Sequence, residues 1–141
     1  MISYFDSSSI VKWFFDETNS ETARKAKDSS SLAFTSMISL PEVMSAFNRA
    51  FLESRCTKPE LEQIRNEFLR IWVKFQKIKV SEDLIRHSGQ LVFTHNLRGF
   101  DSIHLASALV IDNNSRETIF FSCFDDRLNR AARSEGMQIH Y

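Results

Sequence analysis

The sequence contains few residues that interrupt regular secondary structure: three glycines and two prolines among 141 residues. This scarcity favours a chain dominated by helices, because glycine and proline are the strongest local punctuators of a fold. No apolar run approaches the ~18 residues of a membrane span, and the amino terminus lacks a cationic start with a long apolar stretch. We therefore expect a cytoplasmic protein without a transmembrane helix or a leader.

Cysteine and excess charge are also scarce. Cys56 and Cys123 are far apart and form no CxxC or CxxH spacing, which excludes a disulfide framework and the usual zinc motifs. We expect two buried thiols in a reducing compartment. Lys and Arg total 18, as do Asp and Glu, so the formal net charge is +0. This balance excludes a histone-like polycation and an acidic disordered tail, but not a nucleic-acid enzyme that holds phosphates through a metal and a local basic rim.

The length fits one domain, residues 1–141, with its own core. Apolar segments of strand type alternate with segments of helical periodicity, a pattern that favours a parallel sheet covered by helices on both faces. Strands are predicted at residues 1–6, 32–36, 77–80, 117–123 and 137–141. Helices are predicted at residues 10–17, 20–27, 39–54, 59–76, 82–96, 101–112 and 127–135.

Four carboxylates occupy informative places on this map. Asp6 ends the first strand, Asp125 follows the apolar strand FFSC by two residues, and Glu42 and Asp101 stand at helix starts. In an open parallel sheet, ligands bind outside the carboxyl ends of the strands, where helix amino termini also open. We therefore expect the four acids to converge on one edge, where oxygen ligands suit Mg²⁺ or Mn²⁺.

Each acid alone also has a simpler interpretation. The three aspartates are favourable helix caps, and Glu42 stands three residues after Ser39, the spacing of a capping box. Asp126, next to Asp125, is an alternative as the fourth acid.

The surrounding segments resemble the PIN-domain family, most closely its VapC-type toxin ribonucleases. YFDSSSIVKWFFDE resembles the first family motif, and SLPEVMSAFNRA resembles the second. LRGFDSIHLASAL is the most specific match, and FFSCFDDRLNRAARSEGM resembles the last motif. The motifs follow family order over nearly the whole chain. The chain departs from the family at Cys123, where a Thr or Ser usually stands two residues before the last acid.

The resemblance implies an α/β/α sandwich with a central, mainly parallel sheet of four to five strands. It implies a metal-dependent endoribonuclease in which Asp6 and Asp101 are the principal ligands of Mg²⁺ or Mn²⁺. Glu42 and Asp125 would complete the ring directly or through water, so that all four acids are catalytic. A metal-activated water would hydrolyse an RNA phosphodiester. A small antitoxin protein and a homodimer of the toxin are further implications.

The roles of several nearby residues stay open. Ser7 could orient Asp6, orient a metal-bound water, or cap a helix. His104 shares a helix face with Asp101 and could be a general base, but a satisfied packing histidine is the favoured interpretation. Lys12, Arg98 and Arg127 flank the acids and could contact phosphates or be ordinary surface charge. Most of the 13 phenylalanines lie in apolar runs and are expected in the core.

Three functions fit these observations. The first is a toxin endoribonuclease controlled by an antitoxin, and the second is a housekeeping PIN nuclease in RNA maturation. The third is a non-catalytic α/β binding module whose acids only cap helices; the presence of all four acids disfavours it.

Overall fold

The computed structural model describes residues 1–141, and strands alternate with helices along the chain. It contains five strands: β1 (Ile2–Phe5), β2 (Leu32–Ser36), β3 (Gln76–Ile78), β4 (Ile119–Ser122) and β5 (Gln138–Ile139). It contains seven helices: α1 (Ser7–Val11), α2 (Ser20–Asp28), α3 (Ser39–Leu52), α4 (Lys58–Trp72), α5 (Glu82–His95), α6 (Gly99–Asn114) and α7 (Asp126–Ser134).

The five strands form one parallel sheet in the order β3-β2-β1-β4-β5. Along the chain, β2 and β3 are added on one side of β1, and β4 and β5 are then added on its other side. The strand order therefore reverses between β1 and β4, which makes a crevice at their carboxyl ends the expected ligand position. The predicted α/β/α sandwich with a mainly parallel sheet is confirmed.

Successive side chains of β1 enter different cores, because neighbouring residues of a strand point to opposite faces. Tyr4 lies in a cluster formed with α5, α6 and α7, whereas Phe5 lies in a cluster formed with α1 to α4. Both side chains are fully buried. This double burial explains the apolar composition of β1 and β4, since helices cover both faces of a parallel sheet.

Some predicted boundaries are wrong by several residues. The first helix ends at Val11, well before residue 17, because the chain turns so that Trp13 enters the second core. Helix α4 ends at Trp72 and not at residue 76, because Phe75 is buried and Gln76 already begins β3. The loop predicted up to Phe100 is also shorter, since α6 begins at Gly99.

The second strand is predicted with the right bounds, the third begins and ends earlier than predicted, and the other three are right in place but too long. Of the strand predicted at residues 117–123, only Ile119–Ser122 is a strand in the structure, and of the strand predicted at residues 137–141, only Gln138–Ile139 is. Both cysteines are free, as expected, but only Cys123 is buried; the prediction of a buried thiol is wrong for Cys56, which lies in the turn before α4. None of the seven helices combines the length and apolar composition needed to cross a membrane.

Candidate active site

Asp6 lies at the carboxyl end of β1, at the point where the strand order reverses. Its backbone amide donates to the Ser122 carbonyl of β4 at 3.1 Å, so the two strands hold the residue between them. Its carboxylate caps α1 by accepting from the Ser9 amide at 3.0 Å and from the Ser8 hydroxyl at 2.8 Å. The capping interpretation of Asp6 is therefore correct. Capping does not exclude a second role, because a carboxylate has about four acceptor positions.

Asp125 lies beyond the end of β4 and caps α7, whose Leu128 amide donates to it at 2.8 Å. The neighbouring thiol of Cys123 accepts from the Asp125 amide at 3.1 Å, so sulfur occupies the place where the family usually has a hydroxyl. Asp126 is the first residue of α7 and is exposed.

Glu42 lies in the first turn of α3, but the expected capping box with Ser39 is absent. The Ser39 hydroxyl bonds with Thr35 at 2.6 Å, and the helix has no side-chain cap. Glu42 Oε1 instead accepts two hydrogen bonds of 2.6 Å, from the Ser7 hydroxyl and from His104 Nε2. Tertiary contacts, not helix capping, therefore hold this carboxylate.

Asp101 is not a helix cap either, because the cap position of α6 is Arg98 and Asp101 is the third helical residue. Its carboxylate is partly exposed and lies 4.0 Å from Arg98 Nε. No side chain or backbone amide donates a hydrogen bond to it, so Asp101 accepts the fewest hydrogen bonds from the protein of the four acids.

The carboxylates influence one another electrostatically. Burial raises the pKa of Asp101 above its ordinary value, and the charges of Asp125 and Asp6 raise it further, although Arg98 and His104 oppose the shift. Burial also raises the pKa of Asp6, although His104 and the Ser9 and Ser8 hydrogen bonds oppose it. Asp101 and Asp125 line one cavity, and a cation bound there would neutralise the repulsion between the acids.

Glu42 behaves differently. Burial raises its pKa, but the hydrogen bonds from His104 and Ser7 outweigh burial and leave the pKa below its ordinary value. Glu42 is therefore ionised and can only accept hydrogen bonds. It follows that His104 Nε2 donates in this contact, and the Tyr4 hydroxyl lies 2.8 Å from Nδ1 on the other side of the ring.

These contacts answer two open questions. Ser7 neither caps a helix nor contacts Asp6; it donates to Glu42. His104 is only 2% exposed and has partners on both ring nitrogens, so it is a satisfied buried histidine and has no access to a substrate as a general base. The sequence motifs did not single out Tyr4, because an apolar strand residue is ordinarily only a core residue.

Basic and aromatic side chains line the space around the acids. Asp101, Asp125 and Asp126 share a cavity with Arg98, Arg127 and Arg130, and Phe100 lines a second cavity together with Glu42 and Asp101. Arg130 follows Arg127 by one turn of α7, a spacing that could have identified it. Lys12 is less suited to phosphate, because it is held by Glu17 at 3.0 Å.

The expectation about phenylalanine is correct for most of the 13 residues. Only Phe93 and Phe100 are among the exposed large apolar side chains, at 90% and 62% exposure respectively.

The fit of this site to a divalent cation depends on its donors. No three His, Cys, Asp or Glu side chains are close enough together to form a complete metal cage. The site does offer carboxylate oxygens that are coupled by charge, and Mg²⁺ usually keeps several waters and binds through one or two carboxylates plus substrate phosphate. The donor set therefore fits a hydrated hard cation and not a fully enclosed one.

The family is established by comparison with known proteins. The sequence model of the PIN domain matches residues 3–134. This chain belongs to the PIN-domain family. It is also similar to two curated relatives, Ribonuclease VapC45 and Ribonuclease VapC49 from two strains of Mycobacterium tuberculosis. Each is 30% identical over 136 residues, which cover 96% of this chain and 92% of the relative.

Solved structures agree on the PIN fold. FitAcB from Neisseria gonorrhoeae superposes with a TM-score of 0.72 at 15% identity, covering 98% of this chain and 96% of that chain. VapC20 from Mycobacterium tuberculosis, a toxin that cleaves the sarcin-ricin loop, gives 0.68 at 17% identity, covering 92% and 94%. A toxin-antitoxin complex from Klebsiella pneumoniae gives 0.61 at 19% identity, covering 84% and 83%.

Proposed function

We propose that this PIN domain, residues 1–141, is a metal-dependent endoribonuclease and the toxin of a toxin–antitoxin pair. The observation that carries the proposal is the placement of Asp6 and Asp125 at the ends of β1 and β4, where the strand order reverses, together with the cavity that Asp125 shares with Asp101. The similarity to two VapC ribonucleases supports RNA cleavage as the activity. An intracellular site of action, in the cytoplasm, belongs to the same proposal.

In this proposal Asp6 and Asp101 are the principal ligands of Mg²⁺ or Mn²⁺. A bound cation would offset phosphate charge and lower the pKa of a coordinated water. Glu42 and Asp125 complete the acid set directly or through water. Asp6 is rigid because α1, β1 and β4 hold it, whereas Asp101 is free to adjust to substrate because the protein makes few contacts to it.

The surroundings of the acids favour RNA with unpaired bases as the substrate. Exposed Phe100 offers an aromatic face next to Glu42 and Asp101, and unpaired bases stack on such faces. Arg127 and Arg130 line the cavity of Asp101 and Asp125 and provide positive charge for neighbouring phosphates. The two cavities share Arg98 and Asp101, so a base in one and phosphates in the other would both lie beside the acids.

Cleavage of a single-stranded RNA by the purified protein tests the activity. We expect internal cuts with Mg²⁺ or Mn²⁺ and none with EDTA, and restored cutting when the cation is returned in excess. Undiminished cleavage in EDTA would contradict the metal role. Absence of cleavage with either cation, for protein shown to be folded, would contradict the nuclease itself.

The proposal also includes partners. A homodimer is expected for a free toxin of this kind, and a small antitoxin is expected to bind it, as the Klebsiella structure is a complex of toxin and antitoxin. Sedimentation of the purified chain tests the dimer, and copurification with a candidate antitoxin tests the complex.

A further inference from the structure

A buried hydrogen-bond chain leads from the core of the protein to Glu42. The Tyr4 hydroxyl in β1 lies 2.8 Å from Nδ1 of His104 in α6, and His104 Nε2 lies 2.6 Å from Oε1 of Glu42 in α3. The Ser7 hydroxyl at the start of α1 reaches the same oxygen at 2.6 Å. These hydrogen bonds therefore link four elements, β1, α1, α3 and α6, and two of them contribute donors to one oxygen of Glu42.

The need of a buried histidine for hydrogen-bond partners does not by itself account for this arrangement. A buried imidazole needs partners for its two nitrogens, and backbone carbonyls or water would serve equally well. Here the donors converge on a side-chain carboxylate that also lines the cavity with Asp101. Both donors bind Oε1, whereas Oε2 accepts no hydrogen bond from the protein and is not among the buried unpartnered atoms.

We propose that Tyr4, His104 and Ser7 are positioning residues that fix the rotamer of Glu42 and leave Oε2 available to the active site. The inference rests on the proposed function, because it assigns a role to Glu42 within that reaction. None of the three needs to touch RNA: Tyr4 is fully buried and His104 is 2% exposed. Their effect on cleavage passes through Glu42 alone.

Tyr4→Phe is the decisive variant, because it removes one hydroxyl and keeps the ring. That ring stacks on Phe121 with centroids 5.6 Å apart and should keep its place in the core. Loss of a partner that orients a functional side chain typically costs ~10–100-fold in activity. We expect Tyr4→Phe to lower kcat about tenfold with little change in KM, since RNA contacts are untouched.

A double-mutant cycle with Glu42→Gln separates positioning from packing. In the Glu42→Gln background, Tyr4→Phe should cause no further loss of kcat, because the oriented carboxylate is already gone. Equal losses in the wild-type and Glu42→Gln backgrounds would overturn the proposal, and so would an unchanged kcat for Tyr4→Phe. A silent Glu42→Gln in an otherwise active nuclease would overturn it too, while leaving metal-dependent cleavage intact.

A second measurement does not depend on cleavage. ¹⁵N spectra of the imidazole, taken without metal or RNA, should show His104 of the wild type protonated at Nε2 and unprotonated at Nδ1. Tyr4→Phe should weaken this preference, whereas Phe93→Ala, on the exposed side of α5, should leave it unchanged. The opposite tautomer in the wild type would overturn the network even if the protein cleaves RNA as proposed.

If Tyr4→Phe does not fold, Ser7→Ala and Ser7→Thr provide the same comparison from the surface side. Ser7→Ala removes a donor to Oε1, and Ser7→Thr keeps the hydroxyl. We expect reduced kcat in the first and recovery in the second. Equal activity of the alanine variant and the wild type would contradict the positioning role of Ser7.

Discussion

Asp101 is the acid on which substitution is easiest to interpret, because it neither caps a helix nor accepts a close hydrogen bond. Asp101→Asn keeps the size of the side chain and removes its charge. We expect at least a ~100-fold loss of RNA cleavage, the usual cost of removing a group that stabilises charge in the transition state. Asp126→Asn is the matched control, since Asp126 also lies in the first turn of a helix and lines the same cavity, but is more exposed than Asp101.

Initial cleavage rates of the two variants at saturating Mn²⁺ decide this point. A near-wild-type rate is expected for Asp126→Asn. If Asp126→Asn is the damaging change and Asp125→Asn is silent, the fourth acid is misassigned.

The Asp101→Asn variant also yields a prediction about stability. Burial, followed by the charges of Asp125 and Asp6, holds the pKa of Asp101 above its ordinary value. A raised folded-state pKa favours folding while the carboxyl is protonated, so the metal-free protein loses stability as pH rises through that pKa. Asp101→Asn stays neutral, and we expect it to melt higher than wild type at neutral pH in EDTA.

Added metal should reverse this order. At ~100 times its Kd, a cation stabilises the folded wild type by about 2.7 kcal/mol, and it should stabilise Asp101→Asn much less. Thermal melts over a Mn²⁺ series, from acid to neutral pH, measure both effects. Identical Mn²⁺ shifts in wild type and variant would show that Asp101 is not a ligand.

Two phenylalanines offer a matched test of RNA stacking. Phe100 lines the cavity beside Glu42 and Asp101, whereas Phe93 is more exposed and lines none of the cavities around the acids. Stacking on an aromatic side chain is worth ~1–3 kcal/mol per base, so Phe100→Ala should weaken RNA binding about 5- to 150-fold. Fluorescence anisotropy in the Asp101→Asn background measures affinity without cleavage. Equal affinities of Phe100→Ala and Phe93→Ala would remove the stacking role.

At the scale of elements, Asp125 at the start of α7 allows the contribution of a helix cap to be tested separately from the contribution to cleavage. Asp125 caps this helix, and Asn caps about as well as Asp, so Asp125→Asn should leave the melting temperature nearly unchanged in EDTA. Its cleavage rate should nevertheless fall, because the charge next to Asp101 is lost.

Helix α4 provides the reverse control. Thr57 forms a capping box with Glu60 at the start of this helix. Neither residue lines the two cavities around the four acids. Thr57→Ala should cost about 1 kcal/mol of stability and leave the cleavage rate at low temperature unchanged. Denaturant unfolding and cleavage assays on Asp125→Asn and Thr57→Ala check that the first variant loses activity without stability and the second loses stability without activity. A stable, fully active Asp125→Asn would reduce Asp125 to a cap.

At the scale of the whole molecule, the toxin proposal makes a prediction in cells. Expression of the wild-type chain should arrest growth, and coexpression of its antitoxin should relieve the arrest. Asp6→Asn keeps the α1 cap and should not arrest growth at equal protein levels. Colony counts and immunoblots measure both. Harmless expression of a wild-type protein that cleaves RNA in vitro would favour a nuclease of RNA maturation.

Much of the fold could be predicted from local sequence. Alternation of apolar strands with amphipathic helices predicted a parallel sheet covered on both faces, because only buried strands tolerate runs such as IFFS. The ends of elements were less predictable. At Trp72 the helical pattern continues in the sequence, but burial of Phe75 in the second core stops the helix and begins β3.

The sequence by itself determined the residue types of the site and their places at strand ends and helix starts, since period and capping chemistry are local properties. Tertiary structure alone decided which acids are caps and which are held from a distance. Ser39 and Glu42 have the spacing of a capping box, yet Ser39 bonds Thr35 and Glu42 bonds Ser7 and His104. No local pattern contains that choice, because these partners meet only when α1, α3 and α6 pack at the carboxyl edge of the sheet.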